Sequence, residues 1–347
     1  MGTPGWIVLM GSGETTSDGG KIFESLARRL PAPLIISLLE TPAGFELNSD
    51  RVAGRVADYL QVRLQNYHPD IHVIPARRKG TPSSPDNPEL LRPLASSNLI
   101  FFGPGSPTYA VRQLAGSLAW DVIQARQRSG AALALASAAT IAVGAYSLPV
   151  YEIYKVGEDP HWKPGLDLFS AYGLKLVVIP HWNNAEGGKE LDTSRCFMGR
   201  ERFDLLAQQL PAEISLIGLD EHTTLIVDFA GGVATIHGRG SVHLIQQGIE
   251  ETYTRGMRFQ LSKLGAYQLP GEVDGISTAA MDLIHEVPQE GHPPENPPPE
   301  VEELLAQRCT ARQRQDWQSA DAARDQITAF GWKVIDTPDG SRVERDA

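Results

Sequence analysis

The chain has 347 residues, 41% hydrophobic and 21% charged, an ordinary globular composition with room for one large domain or two smaller ones. Its net charge of −11 argues against a general attraction to nucleic acid or an anionic membrane, and no apolar run nears the ~20 residues of a membrane span. Cys196 and Cys309 are the two cysteines and lie far apart in sequence, so neither a disulfide framework nor a zinc site is indicated and a reducing cytoplasm is expected.

The opening "MGTPGWIVLMGSGE" lacks a basic n-region, and its apolar run reads as a first strand, not a signal peptide. Strands are predicted at "WIVLM" (6–10), "LIISLL" (34–39), "IHVIPA" (71–76), "NLIFFG" (98–103), "AALALA" (131–136) and "KLVVIP" (175–180). Apolar runs this continuous imply burial on both faces. Helical patterns at 19–30 and 49–67 lie between them. The alternation predicts an α/β fold with a doubly wound, mostly parallel sheet. From 215 to 245 the β-branched runs and Gly-Gly turn suit antiparallel hairpins at a sheet edge.

After about residue 286 the composition changes. Six prolines fall in the thirteen residues from 287 to 299, which reads as a stiff linker. In the tail beyond, Leu304, Leu305, Trp317, Ala320, Ala323, Ile327 and Phe330 recur at helical spacing, Gly331 is placed to stop a helix, and "WKVIDTPDGSRV" reads as a hairpin. The chain is thus divided into a body at 1–255, an extension packing on it at 256–286, the linker, and a small module at 300–347.

Ligands of a doubly wound sheet bind beyond the carboxyl ends of its strands. Polar groups gather there in "GSGETT" (11–16), "GPGSPT" (103–108), at Ser137, and in "HWNNAEGG" (181–188). "GSGETT" lacks the third glycine of a dinucleotide fingerprint and the Lys-Ser/Thr of a P-loop, so a tight strand–helix turn explains it better than a phosphate or nucleotide site. Ser137 interrupts the run "LALASAATIAVG". A helix N-cap accounts for it, and so does a nucleophile at a sharp strand–helix turn, for which the flanking alanines leave room. His181 ends an apolar run on the same rim, as a general base or as a strand-end residue packed on Trp182. Glu152 is an isolated carboxylate able to orient that imidazole, or a surface charge on an edge strand. Asp220 and Glu221 offer a second carboxylate pair, though a polar turn is the reading preferred for them.

The segment around Ser137 resembles the Gly-x-Ser-Ala-Gly-Ala…Gly elbow of the peptidase E and cyanophycinase family of serine peptidases. "VLMGSGE", "FFGPGSPTYAVRQL", "IPHWNNAEGG" and "IGLDEHTTLIV" resemble further segments of that family in the same order, over about residues 5–250. The resemblance implies a flavodoxin-like sheet of the class I glutamine amidotransferase type. It places the nucleophile on Ser137, the general base on His181, the acid on Glu152, and the oxyanion donors on the N–H groups of Gly105 and Ala138. Gly13, Glu14, Ser106, Trp182, Asn183, Asn184 and Glu186 are the expected pocket residues. Leu135 and Ala139 replace family glycines, and no arginine lies near His181 before Arg195. A neutral or cationic substrate group, with Glu186 or Glu14 as partner, follows from that departure.

The tail is similar to the extreme C-terminal segment of cysteinyl-tRNA synthetases, in "LLAQRCTARQRQDWQSADAARDQITAFGWKVIDTPDG". No aminoacylation motif occurs elsewhere in the chain. Residues 300–347 carry ten acidic and seven basic side chains, which favours a protein partner over tRNA. The expectation is a cytoplasmic, homodimeric serine hydrolase acting on a peptide or small amide, with no cofactor, no metal and no membrane contact. The alternative is a non-catalytic binding or scaffold protein of the same fold. A cysteine nucleophile is disfavoured because neither cysteine sits at an elbow.

Overall fold

The computed structural model describes residues 3–287, 297–314, 316–337 and 340–345. Two compact units divide it, 1–288 and 289–347. Most of the Pro-rich segment expected at 287–299 lies outside the described residues.

In the first unit β1 (Ile7–Met10), β2 (Ile35–Leu39), β3 (Asp70–Ile74), β4 (Leu99–Phe102) and β5 (Ala132–Ala136) are joined through helices. Those helices are α1 (Ser17–Ala27), α2 (Ser49–Arg63), α3 (Pro88–Ser96), α4 (Pro107–Leu114) and α5 (Leu118–Arg128). After β5 come α6 (Ala138–Ala142), the two-residue strands β6 (Tyr146–Ser147) and β7 (Lys163–Pro164), then β8 (Leu176–Ile179) and α7 (Gly199–Gln209). The remainder is β9 (Ser215–Leu219), β10 (Thr223–Asp228), β11 (Val233–Gly238), β12 (Ser241–Gln246), β13 (Ile249–Thr254), β14 (Arg258–Gln260) and α8 (Thr278–Glu286).

The main sheet runs β14-β11-β10-β1-β5-β4-β2-β3. The five strands from β1 to β3 in that order pair in parallel, and β10, β11 and β14 add an antiparallel edge. Period-2 alternation shares each parallel strand between two layers. Ile7, Leu9, Leu133, Leu135, Ile100 and Phe102 join one core cluster. Val8, Met10, Ala134, Ala136, Leu99 and Phe101 join the other. That double burial is why the strands read as unbroken apolar runs.

One strand departs from expectation. The run at 175–180 forms β8, but β8 belongs to a second sheet of order β13-β12-β9-β8. It pairs with β9 in parallel, and β9 pairs with β12 rather than with β10. The segment 215–245 therefore divides between two sheets instead of stacking as hairpins on one. The reason is local: Asp220, Glu221 and His222 form a turn between β9 and β10, and the two strands leave it into different sheets.

In the second unit α9 (Pro299–Gln313), α10 (Trp317–Ala329) and the antiparallel pair β15 (Trp332–Thr337) and β16 (Gly340–Arg345) follow one another. Asp316 caps α10 by accepting from the Ser319 N–H at 3.2 Å, and Gly331, with φ 78°, ends it. Val301, Ile327 and Trp332 form the small core, with Leu304 and Leu305 against it. Trp317 and Phe330, at the same helical spacing, are 59% and 53% exposed, and Trp332 from the hairpin supplies the ring of the small core.

Candidate active site

The chain leaves β5 at Ala136 and enters α6 at Ala138, with Ser137 at the corner. Ser137 has φ 52° and ψ −115°, a conformation rare for a residue with a side chain. Ala136, Ala138 and Ala139 are buried around it, so no bulky group opposes the tight approach of strand and helix. Ala139, where the resembled family has glycine, is fully buried and its N–H donates to the Gly103 carbonyl at 3.3 Å. A capping serine would sit in the extended region and accept from the first helical turn. The Ser137 hydroxyl makes no such bond and lies 2.9 Å from Nε2 of His181. It has the geometry of an elbow.

His181 stands just beyond β8, and three backbone hydrogen bonds at His181 and Trp182 fix it there. The Trp182 N–H donates to the Leu219 carbonyl at 2.9 Å, tying this stretch to the end of β9. The loop that follows folds back, so that the Cys196 N–H donates to the His181 carbonyl at 3.1 Å and the Arg195 N–H to that of Trp182 at 2.9 Å. Three successive residues, Arg195, Cys196 and Phe197, have positive φ to make this return. Nδ1 of His181 is then 3.1 Å from Oε1 of Glu221. Glu221 is itself held: its N–H donates to Asn183 Oδ1 at 2.8 Å, and Asn184 Nδ2 donates to Oε1 at 3.0 Å. One neutral tautomer serves both contacts, with Nδ1–H donating to the carboxylate and Nε2 accepting from the serine hydroxyl.

Glu152 is not the carboxylate beside His181. It accepts from Thr108 Oγ1 at 2.6 Å and lies 3.5 Å from Lys163 Nζ, in the wall of a neighbouring cavity. Burial works against its charge, but the Thr108 hydroxyl and Lys163 outweigh it and hold the carboxyl below its usual value. The sequence offered Glu152 because it follows Ser137 closely. The residue that arrives is Glu221, from the second carboxylate pair, which the sequence favours as a polar turn.

Gly105 and Ala138 line one cavity with Ser137 and His181, of about 230 Å³. Gly105 has φ 142°, and a Cβ there would come within 2.0 Å of the Pro42 carbonyl oxygen, so this close approach requires glycine. The Ser106 N–H fastens the same loop to that carbonyl at 2.8 Å. As the first residue of α6, Ala138 has its N–H outside the helical ladder. Ile141, Val150, Tyr151 and Tyr154 wall the cavity, and Lys155 and Glu186 bring charges to it.

The remaining predicted pocket residues divide. Glu186 lines the cavity, and Ser106 lines the neighbouring one while capping α4 through the Tyr109 N–H at 3.2 Å. Asn183 and Asn184 hold Glu221. Trp182 is a core residue, 3% exposed and packed against Phe203 and His243. Gly13 and Glu14 belong to the β1–α1 turn and do not line the cavity, because that turn is drawn toward His222, whose N–H donates to Ser12 Oγ at 3.0 Å. Cys196 lines it but is buried, and burial pushes its thiol up to about 12, with Glu221 adding to the effect. A neutral thiol of that kind is a poor nucleophile. Among the described residues no group of His, Cys, Asp and Glu could hold a metal ion, and no helix is long and apolar enough to cross a membrane.

A solved peptidase from an acI-B1 Actinobacterium superimposes with a TM-score of 0.59 at 21% identity, over 74% of this chain and 97% of that one. The chain shares the fold of that structure over this span. A putative peptidase E from Listeria monocytogenes EGD-e aligns with a TM-score of 0.42 at 13% identity, over 70% of this chain and 98% of the other. The tail matches a different family, the cysteinyl-tRNA ligase anticodon binding domain, over residues 296–343. It is 51% identical over 47 residues to a cysteine–tRNA ligase of Streptococcus equi subsp. zooepidemicus, which is 14% of this chain and 10% of the ligase. To cysteine–tRNA ligase 1 of Burkholderia lata it is 46% identical over 46 residues, 13% of this chain and 10% of that one. The chain thus spans about a tenth of the length of these relatives, and both resemblances read from its sequence are found.

Proposed function

We propose that this protein is a serine hydrolase that cleaves a peptide or other amide bond through an acyl-enzyme on Ser137. The observation that carries the reading is the unbroken hydrogen-bonded chain from Ser137 through His181 to Glu221, with Ser137 held in elbow geometry. Ser137 Oγ attacks the carbonyl carbon while Nε2 of His181 takes its proton, and Glu221 stabilises the resulting imidazolium. The N–H groups of Ala138 and Gly105 receive the oxyanion. The tetrahedral species then breaks its C–N bond as His181 returns the proton to the leaving amine, and water repeats the sequence to release the acid. A screen of dipeptides and blocked amides tests this, with Ser137→Ala and His181→Ala as controls. The expected result is a product formed by the wild type and by neither variant. Equal turnover by all three, or by none, contradicts it.

The similarity to an anticodon binding domain supports a second role, for the tail. We infer that residues 300–347 form a binding module and that its partner is a protein, since ten acidic against seven basic side chains make a weak footprint for a phosphate backbone. A cytoplasmic homodimer completes the proposal. Filter binding with a bulk tRNA preparation, compared between the full chain and a chain ending at residue 287, tests the partner class: salt-sensitive retention that needs the tail would assign it to RNA.

A further inference from the structure

Beside the Ser137 cavity lies a larger one, of about 710 Å³. Tyr151 lines both cavities, and the loop from 105 to 108 contributes alternately, Gly105 and Pro107 to the first and Ser106 and Thr108 to the second. The two spaces are therefore neighbours across one tyrosine ring and one turn of chain, and the smaller of them holds the nucleophile proposed above.

The lining of the larger cavity selects its occupant. Phe45 and Tyr109 face each other at 5.2 Å between ring centroids, tilted by 53°, and Val111, Pro164 and Tyr151 add apolar surface. Phe45 is 50% exposed and Tyr151 44%, so both rings keep free surface on the cavity wall. The charges cancel. Glu46 and Glu152 are balanced in formal charge by Arg112 and Lys163; Glu152 is engaged by Thr108 and Lys163 through Oε1, its Oε2 being buried without a partner, and the Arg112 guanidinium sits 5.0 Å over the Tyr109 ring. The formal charges leave no net preference for an acidic or a basic side chain, whereas Phe45 and Tyr151 offer edge and face contacts to another ring, with the buried Tyr109 backing Phe45.

We propose that this second cavity is a specificity pocket that takes a bulky neutral side chain, aromatic in the first instance, on one side of the scissile bond. The proposal rests on Ser137 being the nucleophile. Its consequence is a substrate longer than the small cavity alone accommodates, with Tyr151 dividing the reacting bond from the recognised side chain.

The test is protection of Ser137 against a fluorophosphonate probe by blocked tetrapeptides, all-alanine or with Phe, Asp or Arg replacing one residue at a time. A Phe peptide is expected to protect at about fivefold lower concentration than the all-alanine peptide, as the extra contact of an aromatic pair implies. Asp and Arg peptides are expected to gain nothing. Phe45→Ala and Val111→Ser, both on the cavity wall, should erase the Phe advantage. Equal protection by Phe and alanine peptides, no protection by either, or a Phe advantage retained in Phe45→Ala each overturns the pocket while normal labelling leaves the serine reading standing. A wild type that takes no label removes the serine reading and the pocket with it. A Phe45→Ala chain that changes from dimer to monomer with unaltered peptide preference assigns the face to a second copy, and also overturns the pocket.

Discussion

Two histidines flank Trp182, and each is gripped by carboxylates. His181 touches Glu221 with one nitrogen and Ser137 with the other. His243, whose ring stacks on Trp182 at 5.7 Å, has Nδ1 2.7 Å from Glu250 and Nε2 3.3 Å from Asp220 Oδ1, a charge contact without hydrogen-bond alignment. The acids Asp220 and Glu221 are neighbours in sequence that point to different histidines. The ingredients are nearly the same and the outcomes differ. A carboxylate on one side and a hydroxyl on the other leave His181 free to accept a proton. Carboxylates on both sides favour the charged form of His243, whose contacts tie β12 to β13 and to the turn after β9. The third partner, more than the acid–histidine pair, sets what each array can do.

That comparison breaks first at Ser137. Ser137→Ala should lower hydrolysis by about 10⁴-fold or more without changing the thermal transition, since only a hydroxyl is lost. Next is the acid. Glu221→Gln should reduce kcat by about 10²- to 10⁴-fold, because an amide facing Nδ1 favours the wrong tautomer. Glu152→Gln should leave kcat within about tenfold, its carboxylate serving Thr108 and Lys163 instead. Equal losses in the two would erase the distinction between the site acid and the wall acid.

At His243 the expected effect is on stability. Burial opposes its charge, but Asp220 and Glu250 outweigh burial and raise its pKa above the ordinary histidine value. A raised folded pKa means the stabilisation is fully present below the unfolded value of about 6.5 and is lost as pH rises through the folded one. His243→Gln should therefore cost about 1–2 kcal/mol in urea titrations at low pH and less above neutrality, with little change in kcat. The smallest effect belongs to Cys196→Ala, for which turnover should stay within about twofold and iodoacetamide should not inhibit the parent.

Much of this was legible in the sequence, for identifiable reasons. Ser137 and His181 each follow an apolar run, and strands buried on both faces declare themselves, so the residues at their carboxyl ends could be named. Gly105 was named from family resemblance, and its φ of 142° against the Pro42 carbonyl gives the physical reason for glycine there. Glu221 ranks below Glu152 in the sequence because the turn joining β9 to β10 looks like surface until one knows that those strands enter different sheets, which brings the turn against His181. The same division moved β8 out of the main sheet. Trp182 was misplaced as a pocket residue since its burial depends on Gly218, whose missing side chain makes room for the indole. These are pairings between distant segments, and hydrophobic periodicity does not carry them.

The most direct measurement is the site of a fluorophosphonate adduct, found by intact mass and peptide mapping on the wild type, His181→Ala and Glu221→Gln chains. The account predicts one adduct on Ser137, absent in His181→Ala and slowed by about 10²-fold or more in Glu221→Gln. An unlabelled wild type that is fully folded, or a label on another residue, would contradict it.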